Sequence, residues 1–392
     1  MLKIIWRPNL SVSVAWSNYM LIGALGSLHQ TECHDASKQI AMSQHVSQSH
    51  SFDVPKGPQI GEVIELLPGV KWLRLPVPFP PGHINLWLLQ DGDGWTLVDC
   101  GIDTKEVALL WRDIAERYLD GKPLKRIIVT HHHADHLGMA AILCEKHGAE
   151  LLMTSGEYST ARRIHFQSEQ AHRIENKQFW EHHGVLTQCG NDFTSTASVI
   201  AGVPRVPSNI HNIADTETIK VGAYQWRAIE SGGHTTAHLS LYCEELNLLI
   251  AGDQILPGNS SHIGVWPDDP QADPIGDYLS SLNDFGTLPK RTLVMPSHGE
   301  PFNGLHHRLA ELKKYYYGRL RKVFQLCDEP RSAAELIPSL FSKNLNAIQY
   351  QFALAEVVGC LNNLQIAKWV DSIVSTHDQV KFVQRNSNSL SG

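Results

Sequence analysis

The sequence predicts an α/β protein, a four-layer αββα sandwich followed by a small helical module. Three observations predict it. Apolar segments of strand length alternate with helical-period segments in two successive runs, over 63–153 and 218–295. Several of those strands end in short loops of glycine, histidine and aspartate. After residue 305 the pattern becomes almost wholly helical.

The folded part is expected to begin near Gly61. Segments 63–67 and 70–75, split by Pro68-Gly69, read as strand, turn and strand. A proline-rich link, 76–81, precedes 84–89, a turn at 91–94 and 95–99, which is a hairpin signal. Asp103 or Thr104 caps a helix with Val107, Leu110, Trp111, Ile114 and Tyr118 on its apolar face, and Gly121 ends it. Strand 125–129 follows, then a helix over 137–146 and a strand over 149–153. Residues 155–183 are polar, aromatic and helical, fitting either a lid over a site or an ordinary surface helix pair. Residues 187–217 read as irregular. Strands return at 218–221, 224–229, 239–242 and 248–251, before a helix at 277–285 and a strand at 292–295. Two halves, each a sheet backed by helices, make the αββα sandwich. Helices at 305–326, 333–341 and 347–364, with a two-stranded wing at 366–370 and 380–383, make a winged-helix-like module.

The most informative stretch is Thr130–Gly138, which reads T-H-H-H-A-D-H-L-G directly after Ile127-Ile128-Val129. Side chains two apart on extended chain point the same way, so His131 and His133 can bite one ion. Asp135 and His136, opening the next helix, can face a second. Imidazole and carboxylate suit zinc, with iron and manganese as alternatives. Two ions need about seven protein ligands. Three further residues fit, each after an apolar strand and next to glycine: His234 in G-G-H-T, Asp253 in A-G-D and His298 in S-H-G. His132, between two of these histidines, should point away.

In this order, H-x-H-x-D-H, G-H-T, G-D and S-H-G resemble the metallo-β-lactamase superfamily over about residues 61–304. The resemblance implies that His131, His133 and His234 hold one metal, that Asp135, His136 and His298 hold the other, and that Asp253 bridges them. It implies Asp99 as an outer-shell carboxylate. His238 matches the second histidine of the family's G-H-T-x-G-H, although Ala237 replaces its glycine. An aspartate at the bridging position resembles the glyoxalase II, lactonase and transfer-RNA-processing branches, and argues against β-lactam hydrolysis. A water shared by two metals would be acidified to a hydroxide that attacks an electrophilic carbonyl or phosphorus, with Asp135 accepting or relaying the proton. A leaving thiolate, from a thiol of pKa about 8.5, needs little acid help, which favours thioesters, esters and lactones over amides.

The expected function is therefore a dinuclear metal-dependent hydrolase acting on a small acyl substrate, preferably a hydroxyacylglutathione-type thioester. A thiol carrier, glutathione or coenzyme A, would be its partner. Tyr158 and Arg162 in the helical insertion, and Trp266 after the Asp253 loop, are the candidate substrate contacts. Three alternatives remain: an endoribonuclease, a mononuclear iron persulfide dioxygenase and a β-lactamase. Residues 313–322, K-K-Y-Y-Y-G-R-L-R-K, have the basic and aromatic interleaving that suits single-stranded nucleic acid. A net charge of −7 argues against it.

At 392 residues, 42% of them hydrophobic, the chain can bury a large core. Cys33, Cys100, Cys144, Cys189, Cys243, Cys327 and Cys360 are odd in number and never spaced C-x-x-C, as expected of free thiols in the cytoplasm. No apolar run reaches 18 residues, so no membrane helix is expected. Residues 10–28 resemble only a weak signal peptide, interrupted by serines and lacking a cleavage site. The domain division is an N-terminal extension over 1–58, disordered or not native, with Met42 as an alternative start; a catalytic domain over 59–304; the helical module over 305–384; and a disordered tail over 385–392.

Overall fold

The structure is a computed structural model that describes residues 52–167, 169–185, 205–258, 260–341, 344–375 and 378–385. Expectations for residues 1–51, 187–204 and 386–392 lie outside the described residues. Residues 52–58, counted with the extension on composition, lie against the sandwich. Phe52 and Val54 pack on the inter-sheet core, and the Phe52 backbone exchanges two hydrogen bonds with the Asn303 side chain.

Seven strands form the first sheet in sequence order: β1 (Val63–Leu67), β2 (Val70–Pro76), β3 (His83–Asp91), β4 (Gly94–Val98), β5 (Leu124–Ile128), β6 (Glu150–Met153) and β7 (His211–Asn212). β1 to β4 pair antiparallel and β4 to β7 parallel. The second sheet runs β12-β11-β10-β9-β8, from β8 (Thr218–Val221), β9 (Tyr224–Ser231), β10 (His238–Cys243), β11 (Leu248–Gly252) and β12 (Leu293–Pro296). β7 leaves no signal in the sequence, because two residues carry no period.

The strands alternate between cores, as a period of two demands. On β3, Ile84, Leu86 and Leu88 face an outer core, while Trp87 and Leu89 face the other sheet. On β11, Leu248 and Ile250 point inward between the sheets, and Leu249 and Ala251 outward. The first outer core is closed by α1 (Lys105–Tyr118), through Val107, Trp111 and Ile114, and by α3 (Ala140–His147), through Leu143. The second is closed by α6 (Pro274–Phe285), α7 (Leu305–Leu326), α8 (Ala333–Leu340) and α9 (Ala347–Ile366). Helix, sheet, sheet, helix are the four expected layers. The C-terminal helices share one continuous core with the back of the second sheet.

Two departures from expectation bear on the site and the wing. The helix after the histidine motif is broken into α2 (Ala134–Leu137) and α3. Met139 N–H donates to Gly101 O and Cys100 N–H donates to His136 O, so neighbouring backbone replaces the helical ladder there. Gly138 permits this approach: a Cβ would stand 2.4 Å from Ala134 O and 2.6 Å from Asp103 N. In the wing, α9 continues to Ile366, so the first strand is β13 (Val370–Val374), paired with β14 (Val380–Gln384). The helical insertion is α4 (Ser155–Phe166) and α5 (Glu169–His182), and Phe179 and Trp180 of α5 join the C-terminal core.

Candidate metal centre

The site lies where strands of both sheets end. β5 delivers Thr130 and His131; His133 stays extended (φ −62°, ψ 153°) and caps α2, which carries Asp135 and His136. His234 follows β9, Asp253 follows β11 and His298 follows β12. The structure brings these seven residues into two groups, His131, His133, His234 and Asp253 on one side and Asp135, His136 and His298 on the other.

Distances within the groups are short. His131 Nε2 is 2.8 Å from His133 Nδ1 and 3.3 Å from His234 Nε2. Asp135 Oδ2 is 3.3 Å from His298 Nε2 and 3.5 Å from His136 Nε2. Asp253 faces both groups, with Oδ2 3.5 Å from His234 Nε2 and 3.6 Å from His136 Nε2, and Oδ1 3.6 Å from His298 Nε2.

Outer partners fix which nitrogen of each ring faces inward. A carbonyl only accepts, so His234 donates from Nδ1 to His262 O (3.0 Å) and His298 from Nδ1 to His83 O (2.8 Å). His136 Nδ1 donates to Asp99 Oδ2 at 2.8 Å. Thr130 spends its hydroxyl proton on Asp99, leaving its oxygen to accept from His131 Nδ1 at 3.0 Å. Four Nε2 lone pairs therefore converge. Lone pairs at 3.3 Å repel unless a cation or a proton lies between them. Tetrahedral ligation at about 2.0–2.1 Å sets donor atoms about 3.3 Å apart, close to the separations here. His136 Nε2 and Asp253 Oδ1 are buried with no hydrogen-bond partner, as donor atoms reserved for a metal would be. The residues fit divalent metal.

The electrostatics agree. Burial alone would push the Asp253 carboxyl up, but His298 and His136 hold it well below the usual carboxylate range. Burial lowers His298, but Asp253 and Asp135 outweigh it and lift it to about 8. A metal-free chain would keep a proton there, for which a metal must compete.

Asp99 sits at the end of β4 with φ 58°, a left-handed conformation that aspartate tolerates. Its carboxylate accepts from Thr130 N (2.8 Å) as well as from His136. His238 does not face the clusters. Its Nε2 accepts the Asp253 backbone N–H at 3.1 Å, and burial keeps the ring neutral, with its pKa pushed down to about 3. Gly252, at φ 53°, allows that ring to lie flush, since a Cβ would meet His238 Nε2 at 2.4 Å.

His132 turns away from the metal groups, and its partner, Glu157 of α4, has no signal in the sequence. Glu157 is fully buried and accepts from His132 Nδ1 (2.6 Å), His132 N (3.0 Å) and Ala237 N (2.9 Å). It thus ties the His131–His133 turn to the loop after His234. Burial would raise its carboxyl, but His132 and the other donors hold it at about 2. His262 and His83, whose carbonyls orient two rings, are equally invisible to motif reading.

The candidate substrate contacts Tyr158, Arg162 and Trp266 have partners of their own. Tyr158 donates its hydroxyl toward the carbonyls of Pro207 and Ser208, and Arg162 leans on Tyr158 and Phe166. Trp266 packs against His262 with its ring tilted, 5.7 Å between ring centres, and so stands one residue behind His234.

Residues 79–298 match the metallo-beta-lactamase superfamily, and residues 320–385 match the metallo-beta-lactamase-like C-terminal domain. The chain belongs to the metallo-beta-lactamase superfamily. A beta-lactamase domain protein from Burkholderia ambifaria shares its structure at a TM-score of 0.79 and 35% identity, over 86% of this chain and 99% of that one. A metallo-beta-lactamase family protein from Thermus thermophilus superposes at 0.69 with 27% identity, over 82% of this chain and all of the other. The Bacillus subtilis protein named "Probable metallo-hydrolase YqjP" is 26% identical over 315 residues, 76% of this chain and 93% of that protein. A hydroxyacylglutathione hydrolase of Prochlorococcus marinus is 24% identical over 55% of this chain and 68% of its own length. This superfamily member is a metal-dependent hydrolase with divalent-metal donor clusters. Among the described residues, no helix is long and apolar enough to cross a membrane.

Proposed function

We propose that the chain is a dinuclear hydrolase of thioester, ester or lactone carbonyls, with an acyl-thiol substrate foremost. The observation that carries this is the Asp253 carboxylate, which faces His234 with one oxygen and His298 with the other. In this reading His131, His133 and His234 hold one ion, Asp135, His136 and His298 hold the other, and Asp253 lies between. Zinc suits these donors, with iron or manganese as alternatives. Such a pair, when bound, acidifies water and polarises a carbonyl oxygen. Asp135, buried between His136 and His298, is the chain's own acceptor for the proton released from that water. The C–S bond of a thioester then breaks without a general acid, because a thiolate leaves unaided near neutral pH.

The hydroxyacylglutathione hydrolases among the relatives support a glutathione-type thiol carrier. The nucleic-acid alternative loses support in α7. Tyr316 is buried, and Arg319 is spent on Glu356 (2.8 Å) and Leu340 O (2.9 Å). Among the described cysteines all are free thiols, and free thiols suit a reducing setting such as the cytoplasm.

Metal analysis joined to a substrate panel tests the proposal. Two zinc ions per chain, with turnover of acyl-glutathione or acyl-coenzyme A thioesters above RNA and β-lactams, are expected. One iron with oxygen consumption, or salt-sensitive RNA cleavage alone, would overturn it.

A further inference from the structure

The loop that carries Asp253 is held from the C-terminal helices. Residues 253–258 and 260–266 form neither helix nor strand, so their path must be set from outside. Two chains of hydrogen bonds do this. Tyr316 of α7 donates its hydroxyl to Ser261 O at 2.7 Å, and the Ser261 hydroxyl donates to the carbonyl of Asp253 itself. His262 donates from Nε2 to Phe352 O of α9 at 2.9 Å, and His262 O accepts from His234 Nδ1. Val265 N–H makes a further bond to Ala355 O of α9 at 3.0 Å. A helix carbonyl has a second lone pair, so α9 can take both loop donors and keep its own ladder. Around these bonds the Phe352 ring stands 4.6 Å from His262, and Tyr316 stacks edge-on with Tyr278 of α6 at 5.2 Å.

We propose that α7 and α9 are positioning elements of the metal centre, acting through Tyr316 on Asp253 and through His262 on His234. The inference rests on the ligand assignment made above. It gives the C-terminal module a role at the chemical site through the backbone of the Asp253 loop. The group that bonds a ligand directly sets its ring orientation and basicity, and losing it costs about 10–100-fold in metal affinity; α7 and α9 act one bond further out, with a smaller expected cost.

The test is chelator competition for zinc on the full-length chain, read beside the visible spectrum of the cobalt-substituted protein and the thermal unfolding midpoint. His262→Leu keeps the carbonyl that orients His234 but frees the loop from Phe352 O, and it should weaken zinc binding by up to about tenfold and alter the cobalt spectrum. His262→Gln, which places an amide N–H near the same carbonyl, should restore both toward wild type. Tyr316→Phe, which removes a single oxygen, should weaken zinc binding in the same direction; it also decides the matter should His262→Leu fail to fold. Folded His262→Leu and Tyr316→Phe chains with wild-type zinc affinity and cobalt spectrum would overturn this inference alone. A wild-type chain that binds no divalent metal would overturn the ligand assignment and this inference with it.

Discussion

Asp253 is the residue on which most of the site depends. It faces both donor groups, His238 holds its N–H, and Ser261 holds its carbonyl. Asp253→Ala should abolish most turnover, by more than about a hundredfold, since even an outer partner is worth about 10–100-fold. Unchanged turnover with full metal content would contradict the assignment. Glu157 carries a different prediction. Its folded pKa of about 2 lies below its ordinary 4.5. A depressed carboxyl stabilises the fold above the unfolded value and loses that contribution as pH falls through the folded one. The stabilisation is about 3 kcal/mol near neutrality and should vanish between about pH 4.5 and pH 2. Urea unfolding of metal-free wild type and Glu157→Gln should show a stability gap that closes over that window. A gap that does not change with pH would contradict it. The seven residues that the structure brings together were legible in the sequence because metal chemistry would demand particular residue types beside strand ends. Glu157 was not, because its partners at positions 132 and 237 share no period with it.

At the scale of elements, most strands and helices were legible from alternation and helical period. The exceptions have local causes. Met139 and His136 bond to Gly101 and Cys100 rather than along a helix, so α2 and α3 are separate. β7 is too short for a pattern, and it exists because β6 offers a parallel edge. The end of β11 is the most constrained joint. Gly252→Ala would drive a Cβ to 2.4 Å from His238 Nε2 and 3.2 Å from Thr130 Cβ, at a φ of 53°. It should cost about 1–3 kcal/mol and lower zinc affinity together, because the displaced ring supports Asp253. A melting midpoint and a metal affinity both equal to wild type would refute this role for the glycine.

For the whole molecule, the C-terminal helices were legible as helices but their attachment was not. Tyr278, Leu282 and Phe285 of α6, with Leu249 and Val294 of the second sheet, share one core with Leu309, Tyr316, Leu354 and Leu361. That core sets the helices against the loop of Asp253. A chain ending at Gly304 should therefore expose a broad apolar face and aggregate. A soluble truncated chain with a cooperative melt would contradict the shared core. Whether seven side chains from both sheets hold a pair of divalent ions can be read from anomalous diffraction at the zinc edge from zinc-loaded crystals. Two peaks are expected, one among His131, His133 and His234 and one among Asp135, His136 and His298, with Asp253 between them. A single peak, or zinc bound away from these residues, would contradict this assignment.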